Sequence, residues 1–305
     1  MKKPWIICFL CAVSAFTLML WGFSVPAPKA GENVKQIVLI MEDDTGAFLS
    51  QLKQGAQSAA NERGDKLITK VVKDDNLDAQ LKSVKEAGAQ AVILLCNTKA
   101  YAQALMDGCA RLQLPLVCLD RISSGECSVL TDEYAAGAEV SRFALSKGSN
   151  RLIVLAEAGS AEAERLQGAL DTLKDVKVTQ YPYAQGVHLS DSALAALRDG
   201  AYLVTLGAQA TRYAADCKKD GTIPKNVPVV GMDTGERRAD DLEGGWVQAM
   251  LLPAPYAIGY VALQNAHALA AGQAAAAKVK IPGKLVTLEN LYDPENVKLA
   301  FPLLQ

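Results

Sequence analysis

Along most of the chain, short apolar runs alternate with segments whose apolar residues recur every three or four positions. Gln36-Ile-Val-Leu-Ile40 is a run of the first kind and predicts a buried strand. Phe48, Leu52, Ala56, Ala59 and Ala60 follow the second spacing and predict a helix over 48–63, closed by Gly64. A strand is expected at 66–72, a helix at 78–87 ending on Gly88, a strand at 91–95, a helix at 100–112 and a strand at 116–119. Continuous apolar strands separated by helices imply a parallel sheet covered on both faces.

The pattern then repeats. Pro115-Leu-Val-Cys-Leu-Asp120 resembles Pro228-Val-Val-Gly-Met-Asp233, 113 positions on, and Gln54-Gly55-Ala56 returns as Gln167-Gly168-Ala169 at the same offset. Ile37-Val-Leu-Ile40 has its echo in Leu152-Ile-Val-Leu155. The expected fold class is therefore α/β, with two similar parallel-sheet lobes.

The N-terminus departs from this alternation. Lys2 and Lys3 precede an uncharged stretch of 20 residues at 4–23, long enough to span a bilayer, with Trp5 and Trp21 near its ends. This predicts an uncleaved transmembrane anchor, with the rest of the chain outside the cytoplasm. A cleavable signal peptide is the alternative, although its apolar core normally runs to about 7–15 residues. Residues 24–34, with Pro26, Pro28 and Gly31, read as a linker.

Composition narrows the function. At 305 residues and 50% hydrophobic, the chain can bury a core in each of two domains. A formal net charge of -2 lacks the basic surplus that a nucleic-acid partner requires. The two histidines, His188 and His267, are far apart, and no GxGxxG, P-loop, GxSxG or HExxH pattern occurs. No enzyme, cofactor or metal site is expected. Cys8 and Cys11 lie in the apolar N-terminal stretch. The remaining five cysteines are an odd number, so no disulfide framework is expected, and Cys96 and Cys118 read as small buried hydrophobes.

Asp120 and Asp233 end equivalent strands. Ligands of parallel sheets sit beyond the carboxyl ends of the strands, so two facing lobes would bring both carboxylates to one cleft. A sugar needs acceptors, a donor fork and an aromatic face. Asp120, Arg121, Asn97, Asp233 and Phe48 supply these, and Asp44 is a weaker candidate. The competing role for a strand-ending Asp is a helix N-cap. Glu42-Asp43-Asp44 reads as a solvated acidic loop rather than a cation site.

With these residues in view, the chain resembles the type 1 periplasmic binding proteins, nearest to the ribose-binding branch, from about 35 to 296. The resemblance rests on Phe48 with Leu52-Lys53-Gln54-Gly55-Ala56, Ile93-Leu-Leu-Cys-Asn97, 115–121, Thr131-Asp132-Glu133 to Gly137, Val229-Val-Gly-Met-Asp233 and Pro255-Tyr-Ala-Ile-Gly259. It implies that Phe48, Asn97, Asp120, Arg121 and Asp233 contact sugar. It also implies three chain crossovers, giving lobe 1 as 35–131 plus 254–282 and lobe 2 as 132–253 plus 283–305, closing about a hinge. The implied role is a solute-binding protein for a membrane permease of an ABC importer. A sensor signalling to a membrane receptor or kinase is the alternative. Gly46 stands where the family has an amide, and Pro253 where it has a hinge Gln. The family's second-lobe Arg falls at Ala163 with Arg165 two positions on, and its Asn-Asp pair falls at Ala208-Gln209. Arg165 and Gln209 are therefore weaker candidates. Acids beyond the family pattern would suit a modified or amine-bearing ligand.

Overall fold

The computed structural model describes residues 34–72, 77–96, 99–119, 127–148, 150–186, 188–233 and 235–301. The anchor expected over 1–23, and Cys8 and Cys11 with it, lie outside them. Among the described residues no helix is long and apolar enough to cross a membrane.

The first lobe is built from β1 (Gln36–Met41), α1 (Ala47–Arg63), β2 (Lys66–Val71), α2 (Leu77–Glu86), β3 (Ala91–Leu95), α3 (Lys99–Arg111), β4 (Leu116–Cys118) and β5 (Cys127–Thr131). Residues Ile37 to Met41 of β1 are all buried, which explains the unbroken apolar run. Gly64 ends α1 at φ 74°, and its N–H reaches Ala60 and Asn61 carbonyls, as its position in the pattern predicts.

The chain then enters the second lobe as α4 (Glu133–Ser146), β6 (Arg151–Glu157), α5 (Ser160–Thr172), β7 (Lys177–Tyr183), α6 (Asp191–Arg198), β8 (Tyr202–Thr205), α7 (Ala208–Lys219), β9 (Val229–Met232), a 3-10 turn (Gly235–Arg237), α8 (Arg238–Glu243) and β10 (Ala249–Leu252). It returns as α9 (Pro255–Ala270) and β11 (Lys278–Ile281), and crosses once more into β12 (Lys284–Thr287) and α10 (Pro294–Ala300).

Both sheets have six strands in one equivalent order, β11-β5-β4-β3-β1-β2 and β12-β10-β9-β8-β6-β7. The first is parallel throughout. The second is not, because β12 pairs antiparallel with β10. Only residues 282 and 283 separate β11 in the first sheet from β12 in the second, so the chain changes sheets there in one short step with no intervening helix. Pro182 is accommodated because β7 is an edge strand.

The repeat extends to helix packing. A methyl group on Gly55 of α1 would lie 1.9 Å from the Tyr256 carbonyl oxygen of α9, and one on Gly259 would lie 2.0 Å from that of Leu52. In the second lobe Gly168 of α5 meets Tyr134 of α4 at 2.0 Å, and Gly137 meets Arg165 at 1.9 Å. Each pair packs backbone to backbone, which only glycine permits. Tyr134-Ala-Ala-Gly137 and Tyr256-Ala-Ile-Gly259 carry this contact 122 positions apart. Cys96, Cys109, Cys118, Cys127 and Cys217 are buried thiols outside any disulfide. Desolvation pushes the Cys109 thiol up to about 12.

Candidate functional site

Where the chain crosses between the sheets, a cleft of about 300 Å³ opens at the carboxyl ends of β5, β9 and β10. Phe48 and Thr131 line it from the first lobe, facing Glu133, Arg165, Ala208, Met232, Asp233, Leu251 and Pro253. The volume falls in the range of a small-molecule site.

Phe48 is carried by the first turn of α1 and is 38% exposed, so its ring is available to the cleft. Gly46, the N-cap of that helix, has φ 95° and ψ 156°. That region is essentially reserved for glycine, so an amide residue could not stand there without strain. The backbone thus accounts for one departure from the family pattern.

Asp233 follows β9. A methyl group on Gly231 would fall 2.1 Å from the Thr205 hydroxyl, which hydrogen-bonds the Thr211 hydroxyl at 2.8 Å. The Thr211 hydroxyl also receives the Met232 N–H at 2.9 Å and anchors the strand end. The Val-Gly-Met-Asp run is therefore a steric requirement as well as a motif. The Asp233 carboxylate accepts from Arg238 Nε and Nη2 at 2.7 and 2.5 Å and from the Gly235 N–H at 2.7 Å.

Arg165 enters from α5. Its Nε donates to Glu133 and its Nη1 to Glu162 at 3.1 Å. Burial works against its charge, but Glu133, Glu162 and Glu157 outweigh that and hold its pKa above the ordinary arginine range. Glu133 is the first residue of α4, directly after the crossover, and is 7% exposed. Asp132 before it caps α4 by accepting the Ala135 N–H at 3.1 Å, and its own N–H reaches the Ile281 carbonyl at the end of β11. Lys280 adds ion pairs to Asp132 at 3.7 Å and to Glu164 at 3.4 Å.

The structure thus brings Phe48, Arg165 and Asp233 to one cleft. Asn97, Asp120 and Arg121 lie outside the described residues. Gln209 is exposed in the first turn of α7, and the residue of that turn lining the cleft is Ala208. Asp44 is exposed and outside the cleft lining, its carbonyl accepting from Lys53 Nζ at 3.1 Å. The neighbouring Asp43 organises the acidic loop. The Thr45 hydroxyl and the Thr45 and Asp44 amides donate to its carboxylate and lower its pKa. Pro253 removes a side-chain polar group from the cleft wall. The pattern-based reading missed Glu133 and Arg238, which hold the cleft's charged groups. An acid opening the helix after a crossover was the available sign of Glu133. Arg238 gave none, because a 3-10 turn lies between it and Asp233.

Comparison with known proteins accords with this geometry. The ribose import binding protein RbsB of Haemophilus influenzae is 26% identical over 288 residues, covering 88% of this chain and 96% of the relative. Among solved structures, an ABC transporter solute-binding protein from Agrobacterium vitis, bound with alpha-D-tagatopyranose, superposes with a TM-score of 0.69 at 19% identity. That match covers 88% of this chain and 99% of the other. A chain of a mutant XylFII–LytSN complex superposes at 0.71 and 19% identity, covering 85% and 100%. The model of the periplasmic binding protein domain matches residues 37–274, most of the chain, and the protein belongs to that family of two-lobed α/β binding proteins.

Proposed function

We propose that the protein is an extracytoplasmic solute-binding protein that captures a small polar ligand, a sugar, between its lobes and delivers it to the permease of an ABC importer. The observation that carries the reading is the cleft itself, with an exposed aromatic face from one lobe opposite a carboxylate and a guanidinium from the other. Such a set matches the apolar face and hydroxyl rim of a sugar. Asn97, Asp120 and Arg121 are taken to complete the site, on the strength of the family resemblance. RbsB is a ribose import binding protein and the Agrobacterium vitis protein holds a ketohexose, which supports this ligand class. Glu133 and Glu162 do not argue for an amine-bearing ligand, because Arg165 already pairs with both. We further place the lobe boundaries at the three crossovers and take residues 1–23 as an uncleaved anchor.

A thermal-shift panel of D-ribose, D-allose, D-tagatose, D-arabinose and their amino-sugar counterparts tests the ligand class. A sugar at 100 times its dissociation constant adds about 2.7 kcal/mol of stability. A shift with amino sugars alone overturns the neutral-sugar reading. Intact mass of the membrane fraction tests the anchor, and a mature chain beginning between 24 and 33 would refute it.

A further inference from the structure

Three donors already reach the Asp233 carboxylate, two from Arg238 and one from the Gly235 backbone. A carboxylate offers about four lone-pair positions, so about one remains for a ligand, in a direction set by the other three. Arg238 is 6% exposed, and its remaining Nη1 donates to the Leu299 carbonyl at 2.5 Å. The guanidinium is planar and cannot turn without breaking one of these contacts.

The next carbonyl completes a path to the other lobe. Lys298 O accepts from Gln51 Nε2 at 2.7 Å. Gln51 is 5% exposed and lies about one turn along α1 from Phe48. Leu299 packs against the second-lobe core, so α10 belongs to that lobe while Gln51 belongs to the first. The last carbonyls of a helix lack partners within it, and here two adjacent ones are served by buried donors from opposite lobes.

We infer that Arg238 is a positioning residue for Asp233, and that α10 is a strap tying its placement to α1 and hence to Phe48 across the cleft. Any relative movement of the lobes displaces Gln51 against Lys298, and the adjoining Leu299 carbonyl passes that displacement to Arg238. The inference rests on the reading of Asp233 as a ligand-binding residue. Its test has an arm that needs no ligand.

In the ligand-free full-length chain, hydrogen exchange is followed at the amides of 295–300. Asp233→Asn weakens the Arg238 fork, and exchange in this segment rises several-fold. If Arg238 and Gln51 only cap α10, Asp233→Asn leaves the segment unchanged and the inference fails. In the second arm, calorimetric titration uses D-ribose, or whichever sugar of the panel above gives the largest shift. Arg238→Met weakens binding about tenfold, equivalent to about 1.4 kcal/mol. Arg238→Lys, which keeps the charge but gathers its donors on one nitrogen and so loses the planar fork, recovers part of that loss, and Gln51→Leu weakens binding in the same direction. Unchanged affinity in folded Arg238→Met overturns the inference. A native chain that binds no sugar counts against the proposed ligand class, and the exchange arm still decides the strap.

Discussion

The two lobes share a strand order and a glycine-mediated helix pair, yet they are held together differently. Among the described residues, Asp65 is the buried charged side chain of the first lobe, hydrogen-bonded by the Lys35 N–H and at 2.6 Å from His267 Nδ1. The second lobe buries Glu133, Lys218, Arg238 and Asp241. Glu133 holds Arg165, Arg238 holds Asp233, and Asp241 receives Lys219 at 2.7 Å and Arg237 at 3.3 Å. Burying charge is costly unless it is paired. The second lobe bears that cost where its charges fix the cleft side chains and the elements behind them. A shared backbone frame therefore does not imply a shared electrostatic interior.

The largest expected effect isolates that interior. Lys218 is fully buried, its Nζ donates to the Gly245 carbonyl at 3.0 Å, and desolvation lowers its pKa to about 8 from 10.5. Below about pH 8 it is charged in both folded and unfolded chains, and the burial penalty is present in full. Between about pH 8 and 10.5 the folded state has released a proton that the unfolded state retains, so stability rises with pH by up to about 3 kcal/mol. Denaturant unfolding of the native chain and Lys218→Met, compared over this window, should show the native chain gaining that much stability relative to the variant, because the thiols that titrate in the same range are common to both. Equal slopes would remove the sharpest difference between the lobes.

Next in size is a test of the sameness. Gly55→Ala and Gly168→Ala each force a methyl group to within about 2 Å of a backbone carbonyl in their own lobe. Each should cost about 2–3 kcal/mol, and lobe-resolved hydrogen exchange should show loosening on the mutated side. A large loss in one lobe and none in the other would break the equivalence of the helix pairs.

The smallest effect sharpens the difference again. Asp241→Asn removes a buried charge whose partners Lys219 and Arg237 are about one-third exposed and can rehydrate. A loss of about 2 kcal/mol is expected by thermal unfolding. Asp65→Asn in the first lobe, which keeps a side-chain oxygen for the Lys35 amide, should cost about 1 kcal/mol. The reverse order would show that the buried acids of the two lobes are not graded by their ion pairs.

The strands, most of the helix limits and the two-lobe repeat were legible along the chain because they depend on local period and burial. Gln36–Met41, Ala91–Leu95 and the Gly64 stop all follow from spacing and capping alone. Within the described site residues, Phe48 and Asp233 were found by their positions at element ends, which local pattern determines. Asp44 was placed by position and Gln209 by the family resemblance, but neither lines the cleft, because neither signal says which way a turn directs a side chain.

By itself, the sequence determined what neighbours along the chain can settle: an α/β alternation, its doubling at 113 positions, and an aromatic and an aspartate at the ends of elements. The tertiary structure alone decided the antiparallel β12, the parking of Arg165 on Glu133 32 positions away, and the hold of Arg238 on Leu299 61 positions away. Periodicity carries no information about such contacts. They form only when separate elements have packed and a buried charge must find whatever partner the fold has brought within reach.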